Sequence, residues 1–419
     1  MRSVALSSLA LGVAAVALAT ACSGPLSTQS APAMPAMVSQ RAASPPPPID
    51  YIYVANYNSS DIAQLAIDPN AKQIVKLLAP NYKLPASCVH PDSLAPVPRD
   101  HLIFVACFSG KILALAVRPD HTVTASKIKP LPAASPLYII APHSGAAHVL
   151  YASLYPGAIE AFAYTSKSLK LLGKYSTGSI YPNQMAFYTN SAKQSTLFVA
   201  EPFASIPCPS APSTGSIVGY SQNSQGLLKI HEAIPPCGSA YNVVVANDNL
   251  YWAGPSLLGG WSLTKNAPLP SPSPLWAASK GPPYYANDMA VVEPQPTHKP
   301  AAVEPNGGSG SDVVIGANDD VIEIVGDSFQ PEGATPPKGN NPTQAVSCRS
   351  SSRGFHFGAA IYQGLCTQAI SDTLDVLGVD YKTRRVVHLQ YVRVGSMPIA
   401  SSIEDRCDDY AYYSYYSYC

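Results

Sequence analysis

Residues 51–68 read YIYVANYNSSDIAQLAID, and versions of this stretch return along the chain. A short apolar strand ends on a small residue, polar turn residues follow, and a second strand opens on Ile. The first strand recurs as IYVA ending at Ala55, IFVA at Ala106, VLYA at Ala152, LFVA at Ala200 and LYWA at Ala253. VVIG ending at Gly316 and a degenerate GLCT ending at Thr367 make seven. The intervals are 51, 46, 48, 53, 63 and 51 residues. A period near fifty with several strands per unit is the size of a propeller blade, whereas solenoid repeats are shorter and stricter.

Partner strands complete the unit. Downstream lie IAQLAID from Ile62, ILALAV from Ile112, IEAFAY from Ile159, IVGY from Ile217, VIEIV from Val321 and LDVLGV from Leu374. Several alternate apolar and polar residues, as half-buried strands do. Upstream strands (residues 94–97, 138–141, 183–188, 243–246, 289–292) and trailing ones (74–78, 169–172, 386–391) raise the count to four per unit. The expected fold is all-β: a seven-bladed β-propeller of four-stranded antiparallel blades over residues 50–405. The small anchor residues are expected where strands crowd near the axis. The first unit lacks an upstream strand. The surplus after the last unit, residues 394–400 and the Tyr-rich tail 406–419, can supply it and so remove open edges. Alternatively the tail is an aromatic adhesive or glycan-stacking surface.

Composition narrows the class. Charged residues make up 12% of the chain, and Lys+Arg equals Asp+Glu at 26 each. Nothing here provides the basic footprint of a nucleic-acid binder. The N-terminus has a charged start at Arg2, an apolar run from Leu6 to Leu18, and Ala19-Thr20-Ala21-Cys22. Residues 1–21 therefore read as a signal peptide of lipobox type, with Cys22 as the lipidation site. Residues 22–49, rich in Ser, Ala and Pro, read as a tether. The predicted destination is the cell envelope: a membrane-anchored lipoprotein, periplasmic or on the surface, with Ser23 favouring the outer membrane.

Eight further cysteines suit an exported protein, although eight allow 105 pairings. Hairpin symmetry selects Cys88 with Cys107, Cys208 with Cys237 and Cys348 with Cys366, leaving Cys407 for Cys419. Directly opposed residues approach within disulfide reach.

Tyr53-Val54-Ala55-Asn56, the exit Val379-Asp380 with Thr383-Arg384-Arg385-Val386-Val387, and Val394-Gly395-Ser396-Met397-Pro398 together resemble the YVTN-type β-propeller repeat. The resemblance spans roughly residues 50–400 and is carried by the first and last units. It implies kinship with lactonase-like (6-phosphogluconolactonase-like) seven-bladed propellers and with bacterial surface proteins. No catalytic motif of those proteins carries over position by position.

Propeller sites gather at a channel mouth, so polar residues beside the anchor strands are the candidates. These are Asn56, Asp61, His90, Asp92, Glu201, Asn247, Asn318, Asp319 and Asp320. A lactonase-like hydrolase would use carboxylates, with Glu201, Asp319 and Asp320 foremost, to hold Ca or Mg or to activate water. The competing reading is that these are turn formers between strands. No CxxC, HxH, HExxH, GxSxG, Walker loop or GxGxxG is present, and no cofactor is predicted. The expected function is binding or scaffolding through the loop faces, with an envelope protein or glycan as partner. The Pro- and Gly-rich residues 265–312 and 328–345 are expected to form long loops of a disordered composition.

Overall fold

The computed structural model describes residues 50–68, 74–142, 148–202, 216–234, 240–246, 248–253, 258–268, 286–292, 312–317, 321–325, 332–334, 342–357, 360–370, 372–380 and 385–404. Blade 1 contains β1 (Asp50–Asn56), β2 (Asp61–Ile67) and β3 (Val75–Lys83). Blade 2 is β4 (Pro91–Val97), β5 (Leu102–Cys107), β6 (Lys111–Val117) and β7 (Val123–Ala125), with β8 (Leu131–Pro132) also pairing β6. Blade 3 is β9 (Pro136–Ile140), β10 (Val149–Leu154), β11 (Ala158–Tyr164) and β12 (Leu169–Ser176). Blade 4 is β13 (Met185–Thr189), β14 (Ser195–Glu201), β15 (Ser216–Gln222) and β16 (Leu228–Ile234). Blade 5 is β17 (Asn242–Ala246), β18 (Asn249–Ala253), β19 (Leu258–Ser262) and β20 (Ala267–Pro268). Blade 6 is β21 (Ala286–Val292), β22 (Asp312–Ala317), β23 (Val321–Val325) and β24 (Glu332–Ala334). Blade 7 is β25 (Pro342–Phe357), β26 (Ala360–Ile370), β27 (Thr373–Asp380) and β28 (Arg385–Arg393). The last strand, β29 (Pro398–Glu404), pairs with β1 and completes blade 1 in the order β29-β1-β2-β3.

Six antiparallel four-stranded sheets and one of five strands, in which β8 adds to the four of blade 2, thus form a seven-bladed propeller. The first strands touch in the cyclic order β29, β4, β9, β13, β17, β21, β25 and back to β29, so they line the axis. This moves the anchor strands: β1, β5, β10, β14, β18, β22 and β26 are second from the axis, not innermost. At three of their small ends the pairing is irregular. A register shift interrupts the pairing with the innermost strand beside Ala55, Ala106 and Gly316, and between Ser153 and Leu154 in blade 3, whereas the pairings of β13 with β14 and of β17 with β18 are regular. Ala55, Ala106 and Ala152 are fully buried.

The hydrophobic core is divided among the spaces between blades. Ile52 and Leu65 of blade 1 pack with Leu365 and Val376 of blade 7; Phe104 of blade 2 packs with Leu150 and Phe162 of blade 3. Because both faces of the second and third strands are covered, β2 and β5 are buried throughout, and alternation is weak in their sequences. Buried amides knit the blades where sheet edges would leave donors open. The Gln64 Oε1 accepts from the Val123 N–H (2.6 Å), Gln184 Oε1 from Val243 (3.0 Å) and Gln390 Oε1 from Val75 (3.1 Å).

Ring closure falls to Pro398–Glu404, a strand that begins within residues 394–400, the first part of the surplus expected to supply it; residues 405–419 lie outside the described residues. One further expectation changes. The stretch 328–345 is not all loop, since β24 is the fourth strand of blade 6 and β25 begins at Pro342.

Cys348 and Cys366 are directly opposed in register and bonded, as hairpin symmetry requires. Cys88 and Cys107 are also bonded, but not as a cross-strand pair. Pro91 stands opposite Cys107, and Cys88 comes three residues earlier in a turn closed by its own N–H to the Pro85 carbonyl (2.8 Å). That turn folds the chain back and brings the Cα atoms to 5.2 Å. Cys208, Cys237, Cys407 and Cys419 lie outside the described residues. Two disulfides indicate an oxidising compartment. Among the described residues, no helix is long and apolar enough to cross a membrane.

Candidate ligand-binding site

Antiparallel order puts the turns between second and third strands on one face, together with the connections from each blade to the next. On this upper face, backbone hydrogen bonds sew each connection to the turns beside it. The turn at residues 57–60 is held by Tyr57 N–H to the Met397 carbonyl (2.8 Å) and by Leu84 N–H to the Ser60 carbonyl (3.1 Å). Phe108 N–H donates to the His90 carbonyl (2.9 Å), Ala133 N–H to Gly110 (3.1 Å), and Tyr155 N–H to Ser135 (3.0 Å). Gly157 N–H donates to Ile180 (3.0 Å), and Asn183 N–H to Ala200 (2.8 Å). The result is an unbroken arc of tied loops across blades 1 to 4.

Local sequence makes these turns possible. Ser60, Gly110 and Gly157 fill equivalent turn positions with φ of +49°, +93° and +71°. At Gly157 a Cβ would meet the Ser179 carbonyl oxygen at 2.8 Å, so only Gly lets the next connection approach.

The arc carries exposed apolar groups: Phe108, Tyr155, Ile180 and Tyr181. The Tyr155 and Tyr181 rings touch at 4.8 Å between centroids. At the blade 1 end, Tyr57 stacks on His90 at 4.3 Å and 22°. His90 is held in the left-handed region, with its Nδ1 3.2 Å from the Tyr57 carbonyl. The Cys88–Cys107 disulfide lies directly beneath, joining the connection that bears His90 to the strand that ends before Phe108.

The predicted polar candidates separate into two kinds. Asp61 and Glu201 are buried and engaged by protein donors. Asp61 accepts from Asn56 Nδ2 (2.7 Å), Asn81 Nδ2 (3.0 Å) and Lys83 Nζ (2.7 Å). Glu201 accepts from the Gly178 N–H (2.9 Å) and the Tyr220 hydroxyl (3.1 Å). Burial raises the Glu201 pKa, and the hydrogen bonds from Tyr220, Gly178 and Ser179 pull it back. Both carboxylates brace loops, one in blade 1 and the other in blade 4. They do not converge, so they do not form a shared Ca or Mg site. Among the described residues no group of three or more His, Cys, Asp or Glu could hold a metal ion. Asn247, Asn318, Asp319 and Asp320 lie outside the described residues.

Asp92 is the exception. It is the second residue of β4, half-buried on an axial strand. Among the described residues nothing donates a hydrogen bond to its carboxylate, and no cation faces it. Burial alone pushes its pKa up to about 7. Its charge in turn raises the Tyr57 phenol, already lifted by burial, and Asp92 lies two residues after His90, on which Tyr57 stacks. Structure thus joins Tyr57, His90 and Asp92, while Asn56 belongs to the Asp61 network.

A second acid–base pair lies elsewhere. On blade 7, buried Asp375 meets His388 Nδ1 at 2.5 Å, and His388 stacks on Tyr391 at 4.0 Å. Burial lifts Asp375 to about 6 despite His388. This pair occupies the outer two strands, away from the arc.

The aromatic residues of the arc were absent from the sequence-derived candidates. A signal exists: Tyr57, Phe108 and Tyr155 each follow an anchor alanine by two or three residues.

Asp92 makes a pH prediction. Its folded pKa lies above the ordinary aspartate value of 3.8. Between pH 4 and 7 the folded state therefore holds the proton more tightly than the unfolded chain, and stability falls as pH rises through that window. Asp92→Asn removes the penalty and is expected to stabilise the protein by about 1–3 kcal/mol at pH 8. Paired thermal melts should show this gain shrinking to nothing by pH 4; a constant gain would contradict the assignment.

No protein-family model matches the sequence, and no curated protein does either. Among solved structures, a Lactobacillus plantarum protein aligns with a TM-score of 0.58 at 11% identity, over 85% of this chain and 100% of that one. A 6-phosphogluconolactonase candidate from Bacteroides fragilis gives 0.58 and 11%, over 85% and 98%. At such identity the likeness shows the fold alone: the chain is a seven-bladed β-propeller whose structural neighbours include lactonase-like proteins.

Proposed function

We propose that the protein is an exported, lipid-anchored binding module that takes a glycan of the cell envelope on the upper-face arc, without catalysis. The observation that carries this reading is the row of exposed apolar side chains on loops held rigid by hydrogen bonds. Aromatic rings offer flat apolar faces for the C–H faces of sugars and polar tips for their hydroxyls. A pre-tied surface loses little conformational entropy on binding. Cys22 supplies the anchor and residues 23–49 the tether. A lactonase-like hydrolase has less support, because Asp61 and Glu201 already serve the fold.

Glycan-array binding by the mature chain tests the reading. Wild type should bind a defined subset of polysaccharides, and Tyr155→Ala/Tyr181→Ala should lose about 1–3 kcal/mol of that affinity. Full binding by the double variant would remove the arc as the site. Mass spectrometry of the exported protein checks for acylation at Cys22.

A further inference from the structure

We propose that Asp92 receives a positively charged amino group, so that the glycan recognised is an amino sugar polymer carrying free amines. This rests on the glycan-binding reading and narrows its ligand. The three described carboxylate candidates of the upper face differ in one respect: Asp61 has three protein donors, Glu201 has several, and Asp92 has none among the described residues. It sits at the axial start of blade 2, half-buried and still reached by solvent. Its flanking Ser93 is turned away, the Ser93 Oγ accepting from Ile139 N–H of blade 3 (3.3 Å). Two residues before it comes His90, on which Tyr57 stacks.

A half-buried carboxylate without hydrogen bonds is costly to keep ionised, and the raised pKa of Asp92 reflects this. A ligand ammonium supplies both missing elements: opposite charge and several N–H donors. A neutral hydroxyl supplies one donor and no charge. The Tyr57–His90 stack beside it gives a face for the sugar ring and for the cation itself. Among the described residues no lysine or arginine forms an ion pair with Asp92; Lys83 pairs with Asp61 (2.7 Å).

The test compares chitosan and chitin oligosaccharides of equal length, which differ only in free against acetylated amines, using the mature full-length chain in calorimetry at pH 7. Wild type should prefer the chitosan oligomer by about tenfold or more. In Asp92→Asn the two affinities should converge, while Tyr155→Ala/Tyr181→Ala should weaken both ligands alike. Asp92→Asn removes an unpaired buried charge, so loss of folding does not obscure the result. A preference that survives Asp92→Asn, or equal binding of both oligomers by wild type, overturns the ammonium contact while leaving the glycan reading intact. Failure of wild type to bind either oligomer or any other glycan defeats the underlying reading instead. Asp92-dependent binding of an oligolysine peptide, with chitosan ignored, would show the amine to be a protein's and overturn the amino-sugar assignment.

Discussion

A chain ending at Gly395 is expected not to fold. The truncation removes β29, the strand that lines the axis in blade 1 and pairs with β1 from Tyr51 to Asn56. It would strip one side of β1, open the ring between blades 7 and 2, and break the axial contacts of β29 with β4 and β25. A domain stabilised by a net of about 5–15 kcal/mol cannot lose a central strand and keep its cooperative transition. A chain ending at Glu404 retains β29 and should still melt cooperatively. Circular dichroism melts and size-exclusion chromatography of the two truncations separate the cases. A folded monomer from the shorter chain would show that closure does not depend on β29.

Asp61→Ala should be the most damaging single substitution among the polar residues. The carboxylate is the hub for Asn56, Asn81 and Lys83. Asn56 is fully buried, and without Asp61 its Nδ2 keeps only the Val394 carbonyl at 3.2 Å. Its Oδ1 already lacks a partner. Gly395 packs against the same amide: a Cβ there would come within 2.4 Å of Asn56 Nδ2. Stranding a buried amide costs about 1–3 kcal/mol, and the lost bonds and space raise the expected total to about 3–4 kcal/mol. Lys83→Ala should cost less than about 1 kcal/mol, because its side chain is 71% exposed. Urea titrations of the two variants should rank them in this order. Equal effects would mean that the ion pair, not the amide network, stabilises the loop.

The seven-unit repeat was legible because anchor strands keep their apolar run and small end even where the turns have drifted. Blade order followed from it, with one error. The anchor strands lie second from the axis, and the register shifts beside Ala55, Ala106 and Gly316 depend on pairing that a single strand does not reveal. The Cys348–Cys366 bond was likewise local, set by hairpin register. The pairing of Cys88 with Cys107 was right for an incomplete reason, since the turn at residues 85–88 breaks the symmetry.

The site was harder to read. As letters, Asp61, Asp92 and Glu201 are equivalent acids beside apolar strands. They differ in donors contributed from far along the chain: Asn81 and Lys83 reach Asp61, and Gly178 reaches Glu201. Asp92 became distinctive only when its lack of such donors was visible. The same distance hides the arc, whose tied loops come from four blades.

The pairing of Tyr51 with Glu404 has a mechanical consequence. β1 and β29 are antiparallel, and their outward ends leave the sheet side by side on the face away from the aromatic arc. Tension applied between those ends would load the hydrogen bonds one at a time, from Tyr51 towards Asn56, as a zipper opens. A shear arrangement would load them together. Under force from both flanks, blade 1 is therefore the weakest seam of the ring, whereas a pull through one flank alone spares it. A propeller held at a single end would bear a load that would unfasten it if gripped at both.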